Sequence, residues 1–157
     1  MAGLLRAAAA AGVAGGACLL AKTTVSQSHC MVPCGIFDDP RVVSELKQDA
    51  ATIKKAMVQI TALAGSRVPQ DVNQCTRWVM TKEDHADKII KTTAEYMLAQ
   101  RVKAPAFASR ADYAEAVIAH HTLLQAAMKA KQTVDVAHCD ALDHAIDDVG
   151  AMYVKHA

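Results

Sequence analysis

The chain has 157 residues, which suits one domain with a short extension. Charged side chains make up 21% and nearly cancel at a formal +1, and aromatics reach only 4%. Neither an electrostatic hold on nucleic acid nor a stacking surface for single strands is expected from that balance. Apolar residues at 52% exclude a disordered tail, and sparse Gly and Pro among abundant Ala point to helices rather than sheet.

Residues 1–28 differ from the rest. From Met1 to Phe37 there is no Asp or Glu. Arg6 precedes an apolar run from Ala7 to Ala21, and a polar stretch from Lys22 to Ser28 follows. That is the order of a cleaved targeting segment, and the run is short of the about 20 residues a membrane span needs. Ser26-Gln27-Ser28 is a small-x-small triplet, so a cut after Ser28 is expected. The leader is compatible with organelle import (plastid or mitochondrion) or with export. The product, residues 29–157, would keep fifteen basic and sixteen acidic side chains, a formal −1, and no membrane segment.

Residues 29–37 lie between the proposed cut and the first expected helix, and four helices are expected after them, over about 39–156. The first opens at Asp38-Asp39-Pro40, where Asp suits an N-cap and Pro the first turn. Its stripe is Val43, Leu46, Ala50, Ile53, Met57, Ile60 and Ala64, and Gly65 stops it. The second spans about Val72 to Arg101, with Cys75, Val79, Lys82, Ala86, Ile89, Thr93, Tyr96 and Gln100 on one face, before Pro105. The third starts after Ser109, with the stripe Tyr113, Val117, His120, Leu124, Ala127 and Lys131. The fourth starts near Thr133 and carries Cys139, Leu142, Ile146, Val149 and Tyr153. Short links make neighbours antiparallel, so the fold class is all-α, an up-down-up-down four-helix bundle with an N-terminal metal-binding hook.

The hook reads His29-Cys30-Met31-Val32-Pro33-Cys34-Gly35-Ile36-Phe37. Without a cut at Ser28, a Cys30–Cys34 disulfide or a plain connector is the simpler reading. With the cut, His29 gains a free α-amine, which titrates near pH 7.7–8.0 in model peptides. That amine and the ionised amide nitrogen of Cys30 make a chelate ring with a metal. The same amide nitrogen and the Cys30 thiolate make a second. The Cys34 thiolate fills a fourth corner once Pro33 and Gly35 bend the chain, and the His29 imidazole can approach axially. Ionising a peptide nitrogen needs a metal that favours square-planar geometry, Ni(II) or Cu(II). Thiolates tend to reduce Cu(II), which favours nickel, and zinc prefers four tetrahedral ligands.

At these residues the sequence resembles the nickel-containing superoxide dismutases, whose hook begins at a newly exposed His and reads His-Cys-x-x-Pro-Cys-Gly-x-Tyr. The match is His29, Cys30, Pro33, Cys34 and Gly35. Arg77-Trp78-Val79, Lys82-Glu83-Asp84-His85-Ala86, Gln100-Arg101-Val102-Lys103 and Met128-Lys129-Ala130-Lys131-Gln132-Thr133 look like the cyanobacterial and algal branch. The resemblance implies a four-helix bundle, one nickel ion per subunit, a homohexamer, a processing peptidase, and dismutation of superoxide to oxygen and hydrogen peroxide through a Ni(II)/Ni(III) cycle. It assigns His29, Cys30 and Cys34 to the metal. It also places Glu45 where it would orient the axial imidazole. Three positions depart from the pattern. Phe37 stands in place of Tyr, Met31 replaces an acid found in some members, and His85 aligns with an Arg that supports the axial His.

Other features have plainer readings. Cys75 and Cys139 fall on apolar stripes and are expected to be buried. His120 and His121 point in different directions, in a polar core or interface role. His138 and His144 are expected at the surface or a subunit contact. A di-metal carboxylate site needs paired Glu-x-x-His motifs, and none occurs. The competing function is a non-catalytic nickel or copper binding or delivery protein, which would have little use for so long a bundle.

Overall fold

A computed structural model describes residue 31 and residues 39–154. Four α-helices follow one another: α1 (Asp39–Leu63), α2 (Pro69–Lys91), α3 (Arg110–Lys131) and α4 (Ala137–Gly150). α2 runs on into a π-helical segment, Thr92–Arg101, and one 3-10 turn, Ala104–Ala106, leads toward α3. No strand occurs among the described residues.

The helices pack in a ring, each on its neighbours, with α4 closing against α1. Side-chain pairs fix the directions. Asp39, at the start of α1, meets Arg101, at the far end of the π-helical segment, and Asp49 meets His85. Lys47 pairs with Asp147 of α4, and Lys54 with Asp140. Numbers that rise on one helix fall on the next, so the bundle is up-down-up-down.

The core is the inner stripe of each helix. Ile53, Met57, Ile89, Leu123, Leu142 and Ile146 are fully buried. Each such side chain contributes about 1.5–3 kcal/mol of apolar transfer free energy. Cys139 lies among them with its Sγ 3.4 Å from Met57 Sδ, and burial pushes its thiol up to about 11. Cys75, in the second turn of α2, is only half-buried, short of the burial expected for it. At the other end of the bundle Gly150 lets α4 approach α1. A Cβ there would stand 2.8 Å from Val43 Cγ1.

Local signals place most of the ends. Gly65 has φ +88°, a left-handed conformation that glycine adopts without strain, and it closes α1. Pro69 begins α2 at its first position, three residues before the expected Val72. The hydroxyl of Ser109 accepts the Asp112 N–H at 3.1 Å, which is the expected N-cap of α3. Lys82 is buried, yet satisfied. Its ammonium donates to Glu83 and to the Lys131 carbonyl, in the last turn of α3, where the helix itself leaves carbonyls unpaired.

Two expectations need correction. The buried stripe of α3 is Ala116, His120, Leu123, Ala127 and Ala130. Tyr113, Val117, Leu124 and Lys131 flank it, only partly buried. The fourth helix begins at Ala137 rather than near Thr133. The Thr133 hydroxyl accepts the Asp135 N–H and the Asp135 carboxylate accepts the Ala137 N–H, so side-chain turns hold the backbone out of the helix until then.

Candidate metal centre

The expected ligands His29, Cys30 and Cys34, with Pro33, Gly35 and Phe37, lie outside the described residues. The nearest described positions are Met31, which directly follows Cys30, and Asp39, and both are held by the same stretch of chain. Gln100 pairs with the main chain of Met31: its Oε1 accepts the Met31 N–H at 2.8 Å and its Nε2 donates to the Met31 carbonyl at 2.7 Å. Asp39 accepts from the Tyr96 hydroxyl and from Arg101 Nη2, the latter at 2.6 Å. These contacts gather at the end of the bundle where α1 starts.

A second polar group lies further along α1 and α2. Glu45 is 54% exposed at its side chain and pairs with Arg41 one turn earlier, at 3.4 Å. Its carboxylate therefore keeps an open side toward the surface. His85 does not reach Glu45. Its Nδ1 lies 2.6 Å from Oδ1 of Asp49, which also receives Lys88 Nζ at 3.1 Å. Asp49 is nearly buried, and these two partners satisfy its Oδ1. A carboxylate only accepts, so the proton sits on His85 Nδ1 and leaves Nε2 for another contact. Glu45 and Asp49 are four residues apart on one helical face, which puts His85 one turn from Glu45.

A buried pair completes this end. His120 Nδ1 donates to the Ala116 carbonyl at 2.7 Å, so Nε2 accepts the Tyr153 hydroxyl at 2.8 Å. Burial lowers the pKa of His120 and raises that of Tyr153, although the Arg101 guanidinium pulls Tyr153 the other way. Both are neutral at neutral pH. They line a cavity of about 240 Å³ together with Arg101, Val102, Phe107 and Met152. His121 is exposed, as is His144, while His138 is partly covered.

Among the described residues, no group of three or more His, Cys, Asp and Glu side chains is placed to hold a metal ion. No helix among them is long and apolar enough to cross a membrane.

Compared with known protein families, residues 24–157 match the family model of the nickel-containing superoxide dismutases. The chain belongs to that family. No curated protein and no solved structure matches it. As a nickel-containing superoxide dismutase it is an oxidoreductase with nickel as cofactor and superoxide as substrate. Its all-helical four-helix architecture agrees with that membership.

Several residues at this superoxide dismutase's candidate centre carry no motif. Asp49 looks like one more acid on an amphipathic helix. Tyr96 and Gln100 sit on the expected stripe of the second helix, but nothing local shows that they reach Asp39 and Met31. The Arg101–Asp39 pair joins residues that only the antiparallel return of the chain brings together.

Proposed function

We propose that this chain dismutates superoxide at nickel held by the hook that begins at His29, and that the bundle serves to pose that hook. The observation that carries the reading is the pairing of Met31 with Gln100, which brings the residue after Cys30 onto the bundle. The donor chemistry fits nickel. His29 would give its amine and imidazole, Cys30 its amide nitrogen and thiolate, and Cys34 a second thiolate. Soft thiolates and an ionised amide together suit nickel better than zinc or magnesium. When bound, nickel would supply a one-electron Ni(II)/Ni(III) couple, which suits the two halves of superoxide dismutation.

The remaining work belongs to the protein. Pro33 and Gly35 bend the hook. Glu45, restrained by Arg41, accepts from the His29 imidazole and fixes its ring. His85, held by Asp49, supports that end from α2. Phe37 offers a ring without a hydroxyl, so protons for peroxide arrive from the thiols, the backbone amides or water. The same reading includes removal of residues 1–28 by a processing peptidase and assembly as a homohexamer.

Processing gives the first test. Chain recovered from cells that mature it should have the intact mass of residues 29–157 and an N-terminal His29. Nickel-loaded, active protein that still begins at Met1 or Ala2 would contradict the proposal, because its His29 nitrogen is then an amide rather than the amine the proposed donor set requires.

A further inference from the structure

The π-helical turn at Thr92–Arg101 has a geometric consequence. In an α-helix each residue advances by roughly 100°, so residues five apart point roughly 140° away from each other. A bond of the i→i+5 kind widens the turn and brings them to the same side instead. Such a bond closes this segment: the Val102 N–H donates to the Met97 carbonyl at 2.9 Å. Tyr96 and Arg101 are five apart, and both grip Asp39. Gln100 lies beside Arg101 and grips Met31. The wider turn thus gathers three side chains on one side of the helix, toward the N-terminal segment.

We propose that this π-helical segment is the docking platform of the hook, and that Gln100 is a positioning residue for the nickel site. The inference rests on the hook reading above. Gln100 satisfies both main-chain groups of Met31, as a neighbouring strand would, so it sets the position and plane of the peptide units on either side. One of those units follows Cys30 directly. Arg101 and Tyr96 fix the other end of the segment at Asp39. The stretch between the two anchors, which carries Cys34, has fewer conformations to lose when that thiolate closes on an ion, and Cys30 directly precedes the anchored Met31. The platform therefore acts on metal retention and on the geometry of the centre rather than on bundle stability.

The test uses residues 29–157 with a free His29 amine, as parent, Gln100→Leu and Gln100→Glu. Leu removes both hydrogen bonds at similar volume, whereas Glu keeps the acceptor for the Met31 N–H and loses the donor. Two readouts apply: exchange of the Met31 amide in nickel-free protein, and loss of nickel to EDTA from loaded protein, with the Ni(III) electron paramagnetic resonance spectrum recorded alongside. For Gln100→Leu, Met31 exchange and nickel loss should each quicken about tenfold. The spectrum should broaden, and the melting temperature should stay at the parent value. Gln100→Glu should fall between parent and Leu. Unchanged Met31 exchange in Gln100→Leu overturns the tether. Faster exchange with unchanged nickel loss and spectrum overturns the positioning role. A parent chain that binds no nickel sinks the hook reading, and the metal-positioning role with it, while the exchange data still report the tether by themselves.

Discussion

Replacing either Cys30 or Cys34 by Ser is expected to cut superoxide turnover by more than about 100-fold and to leave the bundle folded. The magnitude follows from position in the site. Partners that only orient a ligand already cost about 10–100-fold when removed, so a direct donor must cost more. Thiol and hydroxyl differ by one atom, but the thiol ionises near pH 8.5 in model peptides and an alcohol hydroxyl stays protonated throughout the physiological range. Serine therefore withdraws the soft anionic donor that makes nickel the preferred ion. The controls are the other two cysteines of residues 29–157. Cys139 lies in the core with its thiol pushed up to about 11, and Cys75 is half-buried on α2. Cys75→Ser should keep nickel content and turnover near those of the parent. Metal content by mass spectrometry, turnover by pulse radiolysis and a circular dichroism melt check the whole set. A Cys30→Ser or Cys34→Ser protein that turns over within tenfold of the parent would remove that thiolate from the centre.

The largest effect on stability should come from the other end of the argument, a side chain with no part in the chemistry. Leu142 on α4 is fully buried within the core cluster. Leu142→Ala deletes apolar contact and leaves a cavity, at a cost of about 2–5 kcal/mol. For a domain of this size that lowers the melting temperature by roughly 10 °C or more. Nickel-normalised turnover at low temperature should stay within about twofold of the parent, since Leu142 has no part in the proposed hook. A melting temperature unchanged within a few degrees would mean that the four stripes do not form the core described here. Loss of turnover in a well-folded Leu142→Ala protein would mean that the core and the site are coupled.

What the sequence made legible follows from how local the signal is. The α4 stripe is read correctly because its apolar residues are large and its other positions are charged, as Asp143, Asp147 and Asp148 show. The stripe of α3 is displaced because Ala is common all round that helix, and burial then goes to whichever face the neighbours cover. Ala116, Leu123 and Ala130 lie inward there, while Val117 and Leu124 flank them. The π-helical turn leaves no composition signal, since Thr92–Arg101 is as helix-compatible as the residues before it. Side-chain turns at Thr133 and Asp135 are a recognisable start signal, but they stand a few residues ahead of the helix they precede. At the centre, His29, Cys30, Pro33, Cys34 and Gly35 are legible as a motif because their chemistry depends on adjacent atoms along one chain. Asp49, Gln100 and Arg101 are not, because their partners are 36, 69 and 62 residues away.

The central claim is that the amine exposed at His29 is a donor to the catalytic nickel. The most direct measurement compares superoxide turnover per bound nickel in two proteins that differ by one residue. One begins at His29, and the other carries a single Gly ahead of it, which turns the amine into an amide. Turnover in the first and a loss of more than about 100-fold in the second is the predicted result, by the same ligand argument. Equal turnover per nickel in the two would contradict the account.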